Sequence, residues 1–317
     1  MKLLSLVIPA YNEQDNVEHA YEVLSDLMRR NSIEHEFIFI DDGSKDDTWS
    51  LLQKLALEKD NVTALKFSKN FGKEGAIYAG LNNCKGDCCI VMDCDLQHPP
   101  QTAVEMYNVW LNGDWQVIEG KKQDRGKENP VYKLFANVFY SLLKSSAGID
   151  LHGMSDFKLL DRQVIDVLAS MPEKQTFFRA MPGWAGFNTT VVYYQVAPRY
   201  KGTSKWSKKS LWKFAMNNIS NFSSMPMQIV TIFGLIFFAF SLILGVQTLI
   251  GKLSGRSAEG FSTVILLLLM IGSIIMFSLG VIGFYISKIY EEVKSRPKYI
   301  ISQRIDKKNL KGESSGK

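Results

Sequence analysis

Cys89-Ile90-Val91-Met92-Asp93-Cys94-Asp95-Leu96-Gln97-His98-Pro99-Pro100 begins as a buried strand and ends as a polar turn. Its apolar run is rich in β-branched residues, and two carboxylates one residue apart mark where the strand stops. A strand-end residue and the turn beyond it can bring Asp93 and Asp95 onto one hard cation, leaving coordination positions for phosphate oxygens. An isolated Asp-x-Asp in a loop is more often simply solvated. The reading therefore depends on what surrounds the pair.

Upstream, the chain repeats one pattern. Leu3–Pro9 reads as a strand, Ala10-Tyr11-Asn12-Glu13 as a turn, and the residues through Arg30 as a helix with apolar positions at Val17, Ala20, Val23, Leu24 and Leu27. Glu36–Ile40 is a second strand ending in Asp41-Asp42-Gly43-Ser44, followed by a helix over Asp46–Leu57 that Asp47 is placed to cap. Val62–Phe67 is a third strand, and a turn at Asn70–Gly75 leads to a helix over Ala76–Cys84. Strands alternating with helices of this length predict an α/β fold with a mostly parallel sheet, whose ligands bind beyond the carboxyl ends of the strands. Tyr11, Glu13, Asp41, Asp42, Asp93 and Asp95 all fall there.

Downstream, a helix over Gln101–Leu111 and a short strand at Gln116–Gly120 are expected, then a charged, turn-rich loop over Lys121–Pro130 beside the site. Helices are expected over Tyr132–Ala147 and Arg162–Ser170, and a strand over Thr189–Gln195.

Composition excludes several classes. A chain of 317 residues that is 46% hydrophobic and 22% charged has material for a packed core. Its formal charge of +5 is too mild to imply a nucleic-acid partner. Cys84, Cys88, Cys89 and Cys94 lack the paired spacing of a zinc site and are expected as reduced thiols of a cytosolic domain. The apolar run Leu3–Ile8 is too short for a signal peptide and stops at Pro9.

Past residue 200 the composition changes. No charged residue occurs between Lys213 and Lys252, nor from Gly260 to Ser287. Transmembrane helices are expected at about 228–250 and 263–287, within a hairpin of residues 226–288, because a bilayer core needs about 20 apolar residues. Lys201, Lys205, Lys208, Lys209 and Lys213 precede the hairpin, and Lys288, Lys294, Arg296, Lys298, Arg304, Lys307 and Lys308 follow it. The positive-inside tendency then puts a globular part at 1–200, a basic tail at 289–317 and both termini in the cytoplasm, on a multi-pass protein of the plasma (inner) membrane. Residues 201–225, with Trp206, Trp212 and Phe214 among lysines, suit a membrane-surface amphipathic segment. Gly312–Lys317 is expected to be disordered.

Four ordered motifs carry a resemblance: Val7-Ile8-Pro9-Ala10-Tyr11-Asn12-Glu13, Ile40-Asp41-Asp42-Gly43-Ser44, Asp93-Cys94-Asp95-Leu96-Gln97 and Pro198-Arg199-Tyr200-Lys201-Gly202-Thr203-Ser204-Lys205. Together they resemble the family 2 glycosyltransferases, and more narrowly the polyprenyl-phosphate glycosyltransferases, over nearly the whole chain. The resemblance implies a GT-A fold, a nucleotide-sugar donor and a divalent metal, Mg²⁺ or Mn²⁺. It implies a donor pocket lined by Pro9, Tyr11, Glu13, Asp41 and Asp93, with Asp41 near the base. Processive polysaccharide synthases carry Gln-x-x-Arg-Trp, and Gln175, Arg179 and Trp184 do not match that spacing.

The chemistry can be argued beside the name. Displacing a nucleoside diphosphate needs stabilisation of charge on the leaving phosphate, which a metal on Asp93 and Asp95 would supply, with Gln97 as a further ligand or anchor of its water shell. A lipid monophosphate acceptor is mostly ionised at pH 7, so it needs cationic positioning more than a base. Arg125, Arg199, Ser204 and Lys205 are the candidates for binding the acceptor phosphate. Asp156 matches a family position near the reacting centre, as a base or a sugar contact. His98 is expected to be structural, and Asn12 and Asp42 to serve turns and caps. The expected reaction is inverting transfer of one hexose from UDP-glucose or UDP-N-acetylglucosamine to undecaprenyl phosphate. A GDP-mannose-dependent polyprenyl-phosphate mannose synthase and a catalytically silent membrane scaffold or translocation partner are the rivals, and a homo-oligomer is left open.

Overall fold

A computed structural model of the chain describes residues 2–123, 155–173, 177–196, 225–254 and 260–307. The expected helix over 132–147, all of the surface segment 201–225 but its last residue, the tail beyond 307, and Arg125, Arg199, Ser204 and Lys205 lie outside the described residues.

The first half is the alternation read from the sequence: β1 Leu4–Ala10, α1 Val17–Arg30, β2 His35–Asp41, α2 Thr48–Glu58, β3 Val62–Phe67, α3 Lys73–Asn83, β4 Cys88–Val91 and α4 Pro100–Leu111. Then come β5 Val117–Lys122, β6 Lys158–Asp161, α5 Arg162–Ser170, the short α6 Met181–Trp184 and β7 Thr189–Tyr194. The eight strands form one sheet in the order β7-β5-β6-β4-β1-β2-β3-β8, where β8 is Ile301–Asp306. Strands β4, β1, β2 and β3 run parallel, as do β5 and β7, while β6 and β8 run antiparallel to their neighbours. This is a GT-A-like α/β architecture with a mostly parallel sheet.

The period-2 alternation of β1 and β2 explains the layering. Leu4, Leu6, Ile8, Phe37 and Phe39 point into a fully buried core with Val17, Ala20, Leu24 and Met28 of α1 and with Leu52, Ala103 and Met106. Val7 and Ile40 face the other way, onto α3, where a Cβ on Gly80 would run into Val7. Gly80 thus sets how closely α3 lies on the sheet, and α3 carries its first residue, Lys73, to the carboxyl edge.

Three expectations change. Asp47 occupies the cap position of α2 without a side-chain cap, and Asp46 Oδ1 instead accepts from the Thr48 N–H at 3.1 Å. Lys121 and Lys122, expected in a loop, extend β5 and pair with Tyr193 and Tyr194. The basic tail contributes β8, whose register runs from Thr63↔Asp306 to Phe67↔Ile301 along the outer edge of β3. Just before it, Tyr299 stacks on Phe67 at 5.3 Å, and Lys298 donates to the Met171 carbonyl at 2.7 Å with its ammonium over the Tyr78 ring. The tail pattern Ile301-Ser302-Gln303-Arg304-Ile305 gave little warning, since a mostly polar outer strand resembles a loop.

Residues 211–296 form a second compact unit holding two long helices, α7 Met225–Leu253 and α8 Phe261–Val293. Among the described residues one stretch, Met270–Val293 of α8, is long and apolar enough to cross a membrane, with mean hydropathy 1.9 and none of it buried. In α7 the apolar stretch among the described residues is Ile232–Leu244. The sequence expectation of two spans is therefore met by one candidate.

Candidate active site

The site lies where the parallel strands end. Beyond β1 and β2 the chain is wired by hydrogen bonds. Asn12, in the left-handed region at φ 54°, accepts from the Lys45 N–H with its Oδ1 at 2.9 Å and donates its own N–H to Ser44 Oγ at 2.9 Å. The Glu13 N–H donates to Thr48 Oγ1 at 2.8 Å, and the Glu13 carboxylate accepts from Asn16 Nδ2 at 2.5 Å. Asp41, fully buried, accepts the Ser44 N–H on Oδ1 at 2.9 Å, while its Oδ2 is buried without a hydrogen-bond partner among the described residues. Buried polar atoms are almost always paired, so this oxygen is a natural acceptor for a ligand N–H. Asp42 accepts the N–H groups of Phe71 and Gly72 at 2.6 and 2.9 Å, which fastens the turn that starts α3. Burial pushes its carboxyl up to about 6, against the pull of those two donors. Asn12 and Asp42 are thus turn residues, as expected. Pro9 lies in β1 opposite Ile40, and Tyr11 follows the strand end.

Beyond β4 the arrangement is ionic. Because β6 is antiparallel to β4, with Val91 opposite Lys158, the residues just before β6 lie beyond the end of β4. Asp156 is thereby brought to Asp93. Lys73 Nζ bridges them, at 2.5 Å from Asp93 Oδ1 and 2.9 Å from Asp156 Oδ2. Arg179 grips Asp156 side-on, Nε to Oδ1 at 2.7 Å and Nη2 to Oδ2 at 3.1 Å. Burial pushes the Asp156 carboxyl up, but Lys73 and Arg179 overcome it and hold it far below the ordinary range. Asp93 is likewise lowered, with Lys73 outweighing burial. Glu74 moves the other way: burial, then the charge of Asp156, push it up to about 8, while its Oε2 accepts the Phe178 N–H at 2.9 Å.

Asp95 is buried, and its Oδ1 accepts the Gln97 N–H at 3.1 Å. Between them Leu96 sits at φ 54°, a region costly for a side chain of its bulk, so the turn carrying Asp95 and Gln97 is held under strain. His98 supports Asp93 from behind. Its ring stacks on Phe157 at 4.6 Å, burial lowers its pKa, and its Nδ1 accepts the Asp93 N–H at 3.3 Å. Behind the site, Lys158 and Glu119 form a fully buried ion pair across β6 and β5.

The donor chemistry of Asp93, Asp95 and Gln97 fits a hard divalent ion, because every candidate ligand atom is an oxygen. No group of three or more His, Cys, Asp or Glu residues is arranged for a metal among the described residues.

The family model described as glycosyl transferase family 2 matches residues 5–168. This chain belongs to that family. The transferase is 35% identical over 302 residues to the SfII prophage-derived bactoprenol glucosyl transferase of Shigella flexneri, covering 95% of this chain and 97% of the relative. An uncharacterized glycosyltransferase of Synechocystis, sll0501, is 34% identical over 301 residues, 94% of each chain. Among solved structures, glucosyl-3-phosphoglycerate synthase from Mycobacterium tuberculosis, in complex with Mn²⁺, UDP-glucose and phosphoglyceric acid, superposes with a TM-score of 0.51 at 20% identity. It covers 69% of the transferase and 79% of that chain, and it supports the fold.

Sequence reading of the transferase site missed Lys73, Glu74, Arg179, Lys158 and Glu119. One signal was available: a lysine inside the apolar run Phe157-Lys158-Leu159-Leu160 needs a buried partner.

Proposed function

We propose that the transferase moves one hexose from a nucleotide sugar, UDP-glucose or UDP-N-acetylglucosamine, to undecaprenyl phosphate with inversion. The observation that carries this reading is the end-to-end match to relatives named bactoprenol glucosyl transferase, which runs past the catalytic sheet through both long helices. The lipid phosphate attacks the anomeric carbon directly, and the nucleoside diphosphate departs from the opposite face. Asp93 and Asp95, with Gln97, would hold Mg²⁺ or Mn²⁺, which when bound neutralises charge on the leaving diphosphate. Pro9, Tyr11, Glu13 and Asp41 line the nucleotide pocket, and the unpartnered Asp41 oxygen faces a base N–H. Arg125, Arg199, Ser204 and Lys205 gather the acceptor phosphate. An ionised acceptor needs no base, which agrees with an Asp156 whose oxygens are all engaged by cations.

The proposed layout is a cytoplasmic domain at 1–200, a surface segment at 201–225, two spans near 228–250 and 263–287, and a return to the cytoplasm. The test is transfer of radiolabelled sugar to undecaprenyl phosphate by purified protein, from UDP-glucose, UDP-N-acetylglucosamine, UDP-galactose and GDP-mannose, with Mg²⁺, Mn²⁺ or chelator. A metal-dependent lipid product from one UDP-sugar is expected. A product from GDP-mannose alone would reassign the donor. Absence of product from every donor, with nucleotide still bound, would overturn the reading.

A further inference from the structure

The Asp156 cluster has an uneven architecture. The carboxylate is buried, with Asp156 only 6% exposed, yet the side chains that grip it, Lys73 and Arg179, are 35% and 36% exposed. That exposure leaves the outer edges of Lys73 and Arg179 within reach of a ligand arriving from solvent. The turn carrying Arg179 does not need the guanidinium as an anchor. Phe177 and Phe178 on that turn are buried, and the Phe178 N–H is already fastened to Glu74. The side-on grip consumes Nε and Nη2 of Arg179 and leaves Nη1, on the far edge of the guanidinium, with no hydrogen bond among the described residues. Asp156 thus acts as a buried bracket that fixes one edge of an arginine and leaves the other edge available.

The position of that edge decides what it meets. Through Lys73, Asp156 is one ammonium away from Asp93, so Arg179 belongs to the edge of the sheet where the strand-end carboxylates gather. A planar guanidinium with a fixed orientation matches phosphate oxygens in a way that a flexible ammonium does not. We propose that Arg179 binds a phosphate group of the reactants and that Asp156 is its positioning residue, not a proton acceptor. This inference rests on the proposed phosphate-transfer reading of the same site. Two reactants carry such a group, the nucleoside diphosphate of the donor and the monophosphate of the polyprenyl acceptor, and both offer Arg179 the same chemistry.

The experiment uses full-length protein in detergent micelles, with two binding probes: UDP by calorimetry and undecaprenyl phosphate in mixed micelles. Arg179→Gln is expected to weaken one probe by about ten- to a hundred-fold, in line with loss of a charged hydrogen bond, and to leave the other within two-fold. Loss on the UDP arm assigns Arg179 to the donor, and loss on the lipid arm assigns it to the acceptor. Arg179→Lys should recover part of the affinity. Asp156→Asn should weaken the same probe and leave the acid limb of the pH–rate profile where it is. The proposal is overturned if Arg179→Gln leaves both probes within two-fold. It is equally overturned if Asp156→Asn removes the acid limb while both affinities stand, which would make Asp156 the base. Should Arg179→Gln fail to fold, Arg179→Lys carries the test: a shifted affinity supports the proposal and an unshifted one overturns it. Wild-type protein that binds UDP but transfers no sugar would remove the transfer reading, and the UDP arm would still judge Arg179. Binding of neither probe by wild type would remove both.

Discussion

The ends of β1 and β2 and the ends of β4 and β6 lie along one sheet and are built in opposite ways. At the first, side chains answer backbone N–H groups: Asp41 takes Ser44, Asp42 takes Phe71 and Gly72, and Asn12 takes Lys45. At the second, charges answer charges: Lys73 with Asp93 and Asp156, Arg179 with Asp156, Lys158 with Glu119. A turn wired to its own backbone keeps its shape when one charge is altered. A cluster of mutually balanced ions does not. The difference separates a region suited to holding a fixed shape from one suited to handling charge.

The comparison can be broken from either side. The largest effect is expected in the ionic region. Glu119→Ala leaves the Lys158 ammonium buried without its partner, which should cost about 3–5 kcal/mol in chemical denaturation, while Glu119→Leu combined with Lys158→Met should recover most of it. Next, Asp93→Ala should lower sugar transfer by about a hundred- to a thousand-fold, read as radiolabelled lipid product, and should lower the unfolding temperature as well, because Lys73 loses one of its two carboxylates. Retained transfer would move charge stabilisation away from this strand end. On the backbone-wired side, Gly43 adopts φ 71°, and a Cβ there would come within 2.7 Å of the Asn70 nitrogen. Gly43→Ala should therefore cost about 1–3 kcal/mol, seen as a lower denaturation midpoint.

The smallest expected effect concerns Asp42 and pH. Burial raises its folded-state pKa to about 6 from the ordinary 3.8, so the fold favours the protonated acid. That contribution is fully present below about pH 4 and is lost as pH rises through 6. The stability of wild type relative to Asp42→Asn should accordingly fall between pH 4.5 and pH 7.5 in urea titrations. A flat difference would mean that the Phe71 and Gly72 donors outweigh burial.

The same contrast explains what the sequence made legible. The parallel half was readable because each strand, turn and helix is encoded by neighbouring residues, and Tyr11, Asp41, Asp42 and Asp93 follow from counting to the end of an apolar run. The ionic cluster was not. Lys73, Asp93, Asp156 and Arg179 come from four separated segments, and they meet only because β6 runs antiparallel to β4. Nothing in Lys158-Leu159-Leu160-Asp161 states its direction, since an apolar strand reads the same either way. The role of Arg179 was hidden further, because its partner is neither local nor part of a spaced motif.

The strand β8 also constrains the order of events during synthesis. Residues 301–306 leave the ribosome after both long helices, so the outer edge of β3 stays open until those helices have been made. An open edge presents unpaired N–H and C=O groups to any other extended chain. A catalytic fragment ending at residue 200 would keep that edge exposed permanently and would lack the Tyr299 ring that covers Phe67. The transferase closes its own sheet only after both long helices have been synthesised.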